Sequence, residues 1–112
     1  MHSMCITKKK KILTWGSGQA GRLGHGDEED ILVPKEIYEF SKKKPLFIAA
    51  GESHSAAITD KLKLYTWGNG TYGRLGHGMD AIEKRPKLIE DLDNCEIVHV
   101  SCGAFHTLAV SG

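Results

Sequence analysis

Three features of the sequence predict an all-β repeat fold. The 112-residue chain matches itself at a shift of 52 residues. Each unit holds about four short apolar or β-branched runs, broken by glycine, proline or charged residues, at the spacing of all-β folds. No stretch keeps a 3.6-residue apolar period for ten residues, which removes the α-helix as a main element. A fixed period of this size marks a stacked array. Four strands in about fifty residues is the blade pattern of a β-propeller. The predicted architecture is two four-stranded antiparallel blades, an incomplete β-propeller.

The shift needs no gap. Trp15 falls on Trp67, and Gly16, Gly18 and Gly21 fall on Gly68, Gly70 and Gly73. Arg22-Leu23-Gly24-His25-Gly26 falls on Arg74-Leu75-Gly76-His77-Gly78 without a mismatch, and Gly51 and His54 meet Gly103 and His106. From Met1 to Asp60 there are 22 identities in 60 pairs, against about one match in fifteen to twenty by chance. His2 to Thr7 aligns with His54 to Thr59, the segment that closes the first full repeat. Residues 1–10 therefore read as the closing strand of a preceding repeat and a linker, 11–60 as the first blade and 61–112 as the second. With no capping unit visible at either end, the chain reads as a fragment of a longer array.

The elements follow in order. Lys11 to Trp15 and Lys63 to Trp67 are β-branched and aromatic runs ended by glycine, and are expected as strands. Gly68 to Gly78 is a long glycine-punctuated turn. Pro34 to Phe40 and Pro86 to Leu92 are expected as short strands opened by proline, which suits a strand start. Leu46 to Ala50 and Glu96 to Cys102 are apolar strands. Ser55 to Thr59 and Thr107 to Ser111 are strands of small residues.

Composition narrows the function. Lys+Arg is 15 and Asp+Glu is 14, a net charge of +1. Phosphate binding calls for a clear cationic excess, so nucleic acid is not expected as a partner. No run of about 18 apolar residues exists, so no membrane partner is expected. Cys5, Cys95 and Cys102 are odd in number and lack a C-x-x-C spacing. They read as free thiols in a reducing compartment, which implies an intracellular setting, cytoplasmic or nuclear.

The quoted pattern, Trp-Gly-x-Gly-x-x-Gly-Arg-Leu-Gly-His-Gly, then Pro, then Gly-x-x-His-Ser/Thr, resembles the regulator of chromosome condensation repeat. The resemblance covers residues 11–60 and 63–112. It implies a seven-bladed propeller with four antiparallel strands per blade, of which two repeats supply a part. It also implies a binding module that presents its loops to a protein partner and packs on neighbouring blades. The alternative is guanine nucleotide exchange on the small GTPase Ran, the activity of the family's founding member. Exchange there uses an insertion that wedges into the GTPase, and the unbroken register here holds none.

Residues that recur in every unit read as architectural. Trp15 and Trp67 are expected at blade contacts, each indole N–H with one partner, and Trp67 as the more buried. Leu23 and Leu75 are the apolar anchors of the glycine turns. His25, His54, His77 and His106 read as hydrogen-bonding struts and not as metal ligands, because zinc needs three or four convergent donors. Gly16 to Gly21 and Gly68 to Gly73 spell G-x-G-x-x-G, but Arg-Leu-Gly-His-Gly follows and cannot propagate the helix that a dinucleotide needs. No cofactor and no catalytic residue is expected, since no nucleophile, zinc or phosphate-loop motif is present. Lys8 to Lys11 is expected as a solvated turn between strands of adjacent blades. Asp27 to Asp30 is expected as an exposed loop that could meet a basic partner.

Overall fold

Tight turns of three to five residues alternate with longer connections, so the chain folds as a meander of short antiparallel strands. The computed structural model describes residues 1–78 and 80–112. The strands are β1 (His2–Ile6), β2 (Ile12–Gly16), β3 (Ile31–Glu36), β4 (Pro45–Ala50), β5 (His54–Thr59), β6 (Leu64–Gly68), β7 (Glu83–Leu88), β8 (Ile97–Cys102) and β9 (Thr107–Ser111). The only helical elements among the described residues are four three-residue 3₁₀ turns. The all-β, antiparallel expectation holds.

The assignment of strands to blades needs correction. The sheets have the orders β1-β2-β3, β4-β5-β6-β7 and β8-β9. One sheet is four-stranded, and the stretches 11–60 and 61–112 do not each form one. Each repeat contributes its first two strands to one sheet and its last two to the next. Pairing supplies the reason. His54 to Ile58 pairs in full register with Gly68 to Leu64 across a tight turn, whereas the segment 37–44 packs as a crossover between sheets. The equivalent β1–β2 pair runs His2↔Gly16 to Ile6↔Ile12. The lysine run is therefore a turn inside one sheet: Lys10 N–H donates to Thr7 O, and Thr7 N–H to Lys11 O, both at 2.9 Å.

The prolines also sit differently. β3 and β7 begin three residues before Pro34 and Pro86, and Tyr38–Phe40 and Glu90–Leu92 are 3₁₀ turns. Both proline strands are the outer edges of their sheets. A residue without an N–H is tolerated there because its outer side has no ladder to complete.

Two apolar cores hold the sheets together. Ile12, Ile37, Phe40, Ala57 and Trp67 fill the space between the first and second sheets. Ala56, Ile58, Leu64, Ile89, Ile97 and Val100 fill the space between the second and third. Strand β5 lies in the middle, and all six of its residues are buried. Its alternation sends Ala57 to one core and Ala56 and Ile58 to the other, and the alanines let neighbouring sheets approach.

Trp67 is fully buried, with its ring 5.7 Å from Phe40. Trp15 is half-buried. The period explains the difference. Moving Ile12, Ile37, Phe40 and Ala57 back by 52 positions leaves only Cys5, the equivalent of Ala57, within the chain. We expect Trp67→Ala to cost about 3–5 kcal/mol, the usual range for removing a packed aromatic. Trp15→Ala should cost less than half as much. Urea denaturation of both variants tests this, and equal losses would show that Trp67 does not join the sheets.

Candidate functional site

The repeated residues converge where the loop of one sheet meets the turn of the next. The loop after β2 seats on the second sheet: Gly26 N–H donates to Lys84 O of β7 at 2.9 Å. Gly21 lies against the Lys84 backbone, and Gly24 faces the Trp67 indole. Gly24 has φ +82°, and a Cβ there would lie 2.8 Å from Trp67 Nε1. That nitrogen has no hydrogen-bond partner among the described residues, so the expected partner for the indole N–H is not found. Its place is taken by the close approach of the Gly24 backbone. Leu23 and Leu75 are buried as expected. Gly18 and Gly70 pass against the carbonyls of Glu29 and Ala81, Gly16 and Gly68 end β2 and β6 beside His2 and His54, and Gly73 stands clear of neighbours. Gly76 touches Ile89.

Three polar struts repeat with the period. Thr14 Oγ1 donates to Leu23 O at 2.7 Å and lies 2.9 Å from His25 Nε2. A hydroxyl has one proton, so His25 Nε2–H must donate to Thr14. Thr66, Leu75 and His77 repeat the arrangement at the same distances. Second, buried Arg22 donates from Nε to Gln19 O and from Nη1 to Glu52 O in the β4–β5 turn, while Ser55 Oγ donates to Arg22 O. Arg74, Thr71, Ala104 and Thr107 repeat this between the second and third sheets. Third, the rings of His54 and His106 lie over Gly51 and Gly103, and His54 Nε2 donates to His106 O at 3.2 Å, whereas its equivalent His2 meets Ser55 Oγ at 2.6 Å. A Cβ at Gly51 would stand 2.5 Å from the His54 ring. The Gly-x-x-His spacing is thus a ring folded back over its own turn.

The structure brings Gly24 and Trp67 together, Gly51 and His54 together, and His54 with His106, and it keeps His25 and His77 in separate sheets. Sequence reading missed Thr14, Thr66, Arg22, Arg74, Ser55 and Thr107 as partners. The signal was present, because all six positions keep the same chemistry across the 52-residue shift. The acidic run is only partly free. Glu28 accepts from Ala20 N–H and pairs with Lys84 at 3.7 Å, and Asp30 accepts from Gly18 N–H.

Burial sets the charge state of the struts. Desolvation lowers His25, His54 and His77, and brings His2 down to about 4, assisted by the Arg22 charge. The unfolded chain titrates these groups near the ordinary 6.5, so it binds more protons than the native state below that pH. Stability is then complete above about pH 7 and falls as pH drops through 6.5 toward the native values. We expect a lower urea midpoint at about pH 5.5 than at about pH 7.5, and a flatter dependence in His2→Gln. A midpoint that rises on acidification would contradict neutral struts.

The Trp67 socket has a counterpart. Leu64, Leu75, Gly76, Ile89, Leu92 and Ala109 line an open cavity of about 440 Å³. They are the 52-residue equivalents of Ile12, Leu23, Gly24, Ile37, Phe40 and Ala57. The socket is thus tested best at its filled copy. Gly24→Ala adds a collision with the indole to left-handed strain, together about 3 kcal/mol or more. Gly78→Ala has φ +80° but nothing within 4 Å, so it should cost about 1–2 kcal/mol. Equal costs would mean that contact with Trp67 adds nothing.

Comparison with known proteins agrees with this geometry. The family model of the regulator of chromosome condensation (RCC1) repeat matches residues 11–58 and 63–110, and a second model of the same repeat matches 47–74. The chain is 42% identical to the E3 ubiquitin-protein ligase HERC2 of Homo sapiens, over 98% of this chain and 2% of that protein. It is 38% identical to the ultraviolet-B receptor UVR8 of Arabidopsis thaliana, over 98% of this chain and 25% of the receptor. Among solved structures it superposes on human WBSCR16 with a TM-score of 0.84 and 28% identity, covering 98% of this chain and 29% of that one. Prp20p of Saccharomyces cerevisiae gives 0.87 at 20% identity, covering 98% and 28%, a likeness of fold. The chain thus spans a small part of each relative. Two matches to one family model, over the residues that form the repeated struts, place this chain in the regulator of chromosome condensation repeat family.

Proposed function

We propose that the chain is a non-catalytic protein-interaction module, two repeats of a propeller whose further blades pack on it. One observation carries this reading. Recurring residues such as Thr14, Arg22, Gly24 and His54 hold sheet to sheet, whereas the exposed Lys42-Lys43-Lys44 gives way to Asn94-Cys95-Glu96 in the next repeat. The open cavity lined by socket residues supports the neighbouring-blade part, since it repeats the walls that hold Trp67. The free thiols Cys5, Cys95 and Cys102 support an intracellular setting.

A protein partner fits what is said of the relatives. The Prp20p structure is described with its binding to Gsp1p and histones, and another with Kap60 bound to yeast RCC1. These support a second reading, guanine nucleotide exchange on a Ran-type GTPase. The ligase activity in the HERC2 name belongs to a protein of which this chain matches 2%.

The two readings part in one assay. Exchange requires contacts that favour the nucleotide-free GTPase over the loaded one. Mixed with Ran carrying a fluorescent guanine nucleotide, the chain is expected to leave release at its spontaneous rate. Acceleration that grows with chain concentration would replace the module reading with the exchange factor.

A further inference from the structure

The net charge of +1 hides a strong asymmetry along the strands. Strand β2 starts at the Thr7–Lys11 turn and ends at the glycine loop, so these lie at opposite ends of the sheet. Three segments meet at the turn end. Lys11 Nζ reaches Ser41 O at 3.5 Å, and Asp60 N–H donates to Lys44 O at 2.7 Å. The 8–11 turn, the 42–44 crossover and the 60–63 turn are therefore neighbours. Together they carry nine of the chain's 15 cationic residues. Lys11 pairs with Glu36 and Lys63 with Asp93. The other seven make no ion pair among the described residues.

Lys9 and Lys11 recur as Lys61 and Lys63, but the other five lysines of the cluster are not part of the repeat. Under the 52-residue shift, Lys8 and Lys10 become Asp60 and Leu62, and Lys42-Lys43-Lys44 becomes Asn94-Cys95-Glu96. A framework requirement would have kept these positions alike, as it keeps Arg22 and Arg74. The lysines are also concave in arrangement. Lys42, Lys43, Lys44, Lys61 and Lys63 surround a cleft of about 280 Å³, with Tyr65 and Thr59 in its wall. Lys43 Nζ sits 5.8 Å from the Tyr65 ring centre.

We propose that this lysine cleft is a docking site for an acidic segment of a partner protein; the proposal rests on the interaction-module reading and names the surface that reading uses. The chemistry favours an acidic peptide over nucleic acid. Every cation in the set is lysine, a point charge without the fork that reads base edges. Asp60 lies within the cleft, and Asp93 of the next crossover borders it, paired with Lys63 at 3.3 Å. A duplex carries a charge about every 1.7 Å along its axis and would run onto that border. A short acidic peptide ends within the basic area. No ring is free for base stacking in the cleft, because Tyr65 is half-buried beneath Lys43.

The test titrates the full chain into a fluorescein-labelled peptide of alternating glutamate and serine and follows anisotropy. A DNA duplex of about 16 base pairs forms a parallel arm. The variant Lys42→Gln/Lys43→Gln/Lys44→Gln removes exposed charges and should keep the native circular dichroism and urea midpoint. Lys35→Gln on β3 is the control. We expect saturable peptide binding that weakens about fivefold or more in the triple variant, stays unchanged in the control, and falls as salt rises from about 50 to about 200 mM. No saturation by about 1 mM chain, or equal binding by the triple variant, would overturn the proposal. Tighter binding of the duplex than of the peptide, with the same lysine dependence, would overturn it in favour of a phosphate partner. None of these outcomes touches nucleotide release from Ran, so the cleft and the module reading fail separately.

Discussion

The seating of the Trp67 indole against Gly24 is the contact on which the arrangement depends. It joins the second sheet to the loop of the first, and it fixes how far apart they stand. The indole fills the space that Ile12, Ile37, Phe40 and Ala57 enclose. The price of this fit is an indole N–H without a partner, worth about 1–3 kcal/mol when buried. Burial of so large a ring offsets it. Glycine at position 24 follows from the same geometry, since any side chain would enter the indole. The left-handed φ there then turns the loop back toward β3. One packing event thus dictates tryptophan, glycine and the distance between them.

The polar struts do a different job. Apolar packing alone would let two sheets slide, because it has no direction. Arg22 prevents this by reaching Gln19 O in its own loop and Glu52 O in the neighbouring turn, while Ser55 binds the Arg22 carbonyl in return. A guanidinium held by carbonyls is buried without a carboxylate, so its charge is met by dipoles only. Such an arrangement contributes little net stability but fixes register, since any other register leaves a buried charge unmet. The neutral histidines act alike: each Nε2–H has an acceptor in reach, and desolvation disfavours the charged ring, outweighing Asp27 and Glu39 near His25 and Glu83 and Glu90 near His77.

Much of this was legible in the sequence. The period, the all-β class, the strands and the architectural role of tryptophan, glycine and histidine all follow from self-comparison, because a constraint repeated in space repeats in the chain. What did not follow was phase. Self-comparison gives the length of a repeat but not where a sheet begins, and Lys8 to Lys11 reads equally well as a turn or as a crossover. The structure decides by pairing β1 with β2 in full register. The prolines misled for a related reason. Pro34 and Pro86 suit a strand start or an outer edge, and only the strand order distinguishes them. The lysine cleft escaped because net charge averages over both ends of the strands, and its three segments are distant in sequence.

The offset of repeat and sheet has a mechanical consequence. Each repeat begins inside one sheet, at β2 or β6, and ends on the second strand of the next, at β5 or β9, crossing through the segment 37–44 or 89–96. A cut between repeats, at 60/61, falls in the β5–β6 turn and divides the four-stranded sheet down its middle. Both halves would then expose unpaired edges and half of the two cores that flank β5. A cut within a crossover leaves the sheets whole but severs the covalent link across an interface. The unit that folds together is therefore neither repeat nor sheet but the junction between two sheets, where the indole, the glycine loop and the arginine strut meet. At these junctions the repeats exchange one apolar residue for another, as Phe40 for Leu92, whereas charge differs at the turn ends of the strands. That is where Lys42-Lys43-Lys44 and Asn94-Cys95-Glu96 have diverged in charge without any change in the frame that carries them.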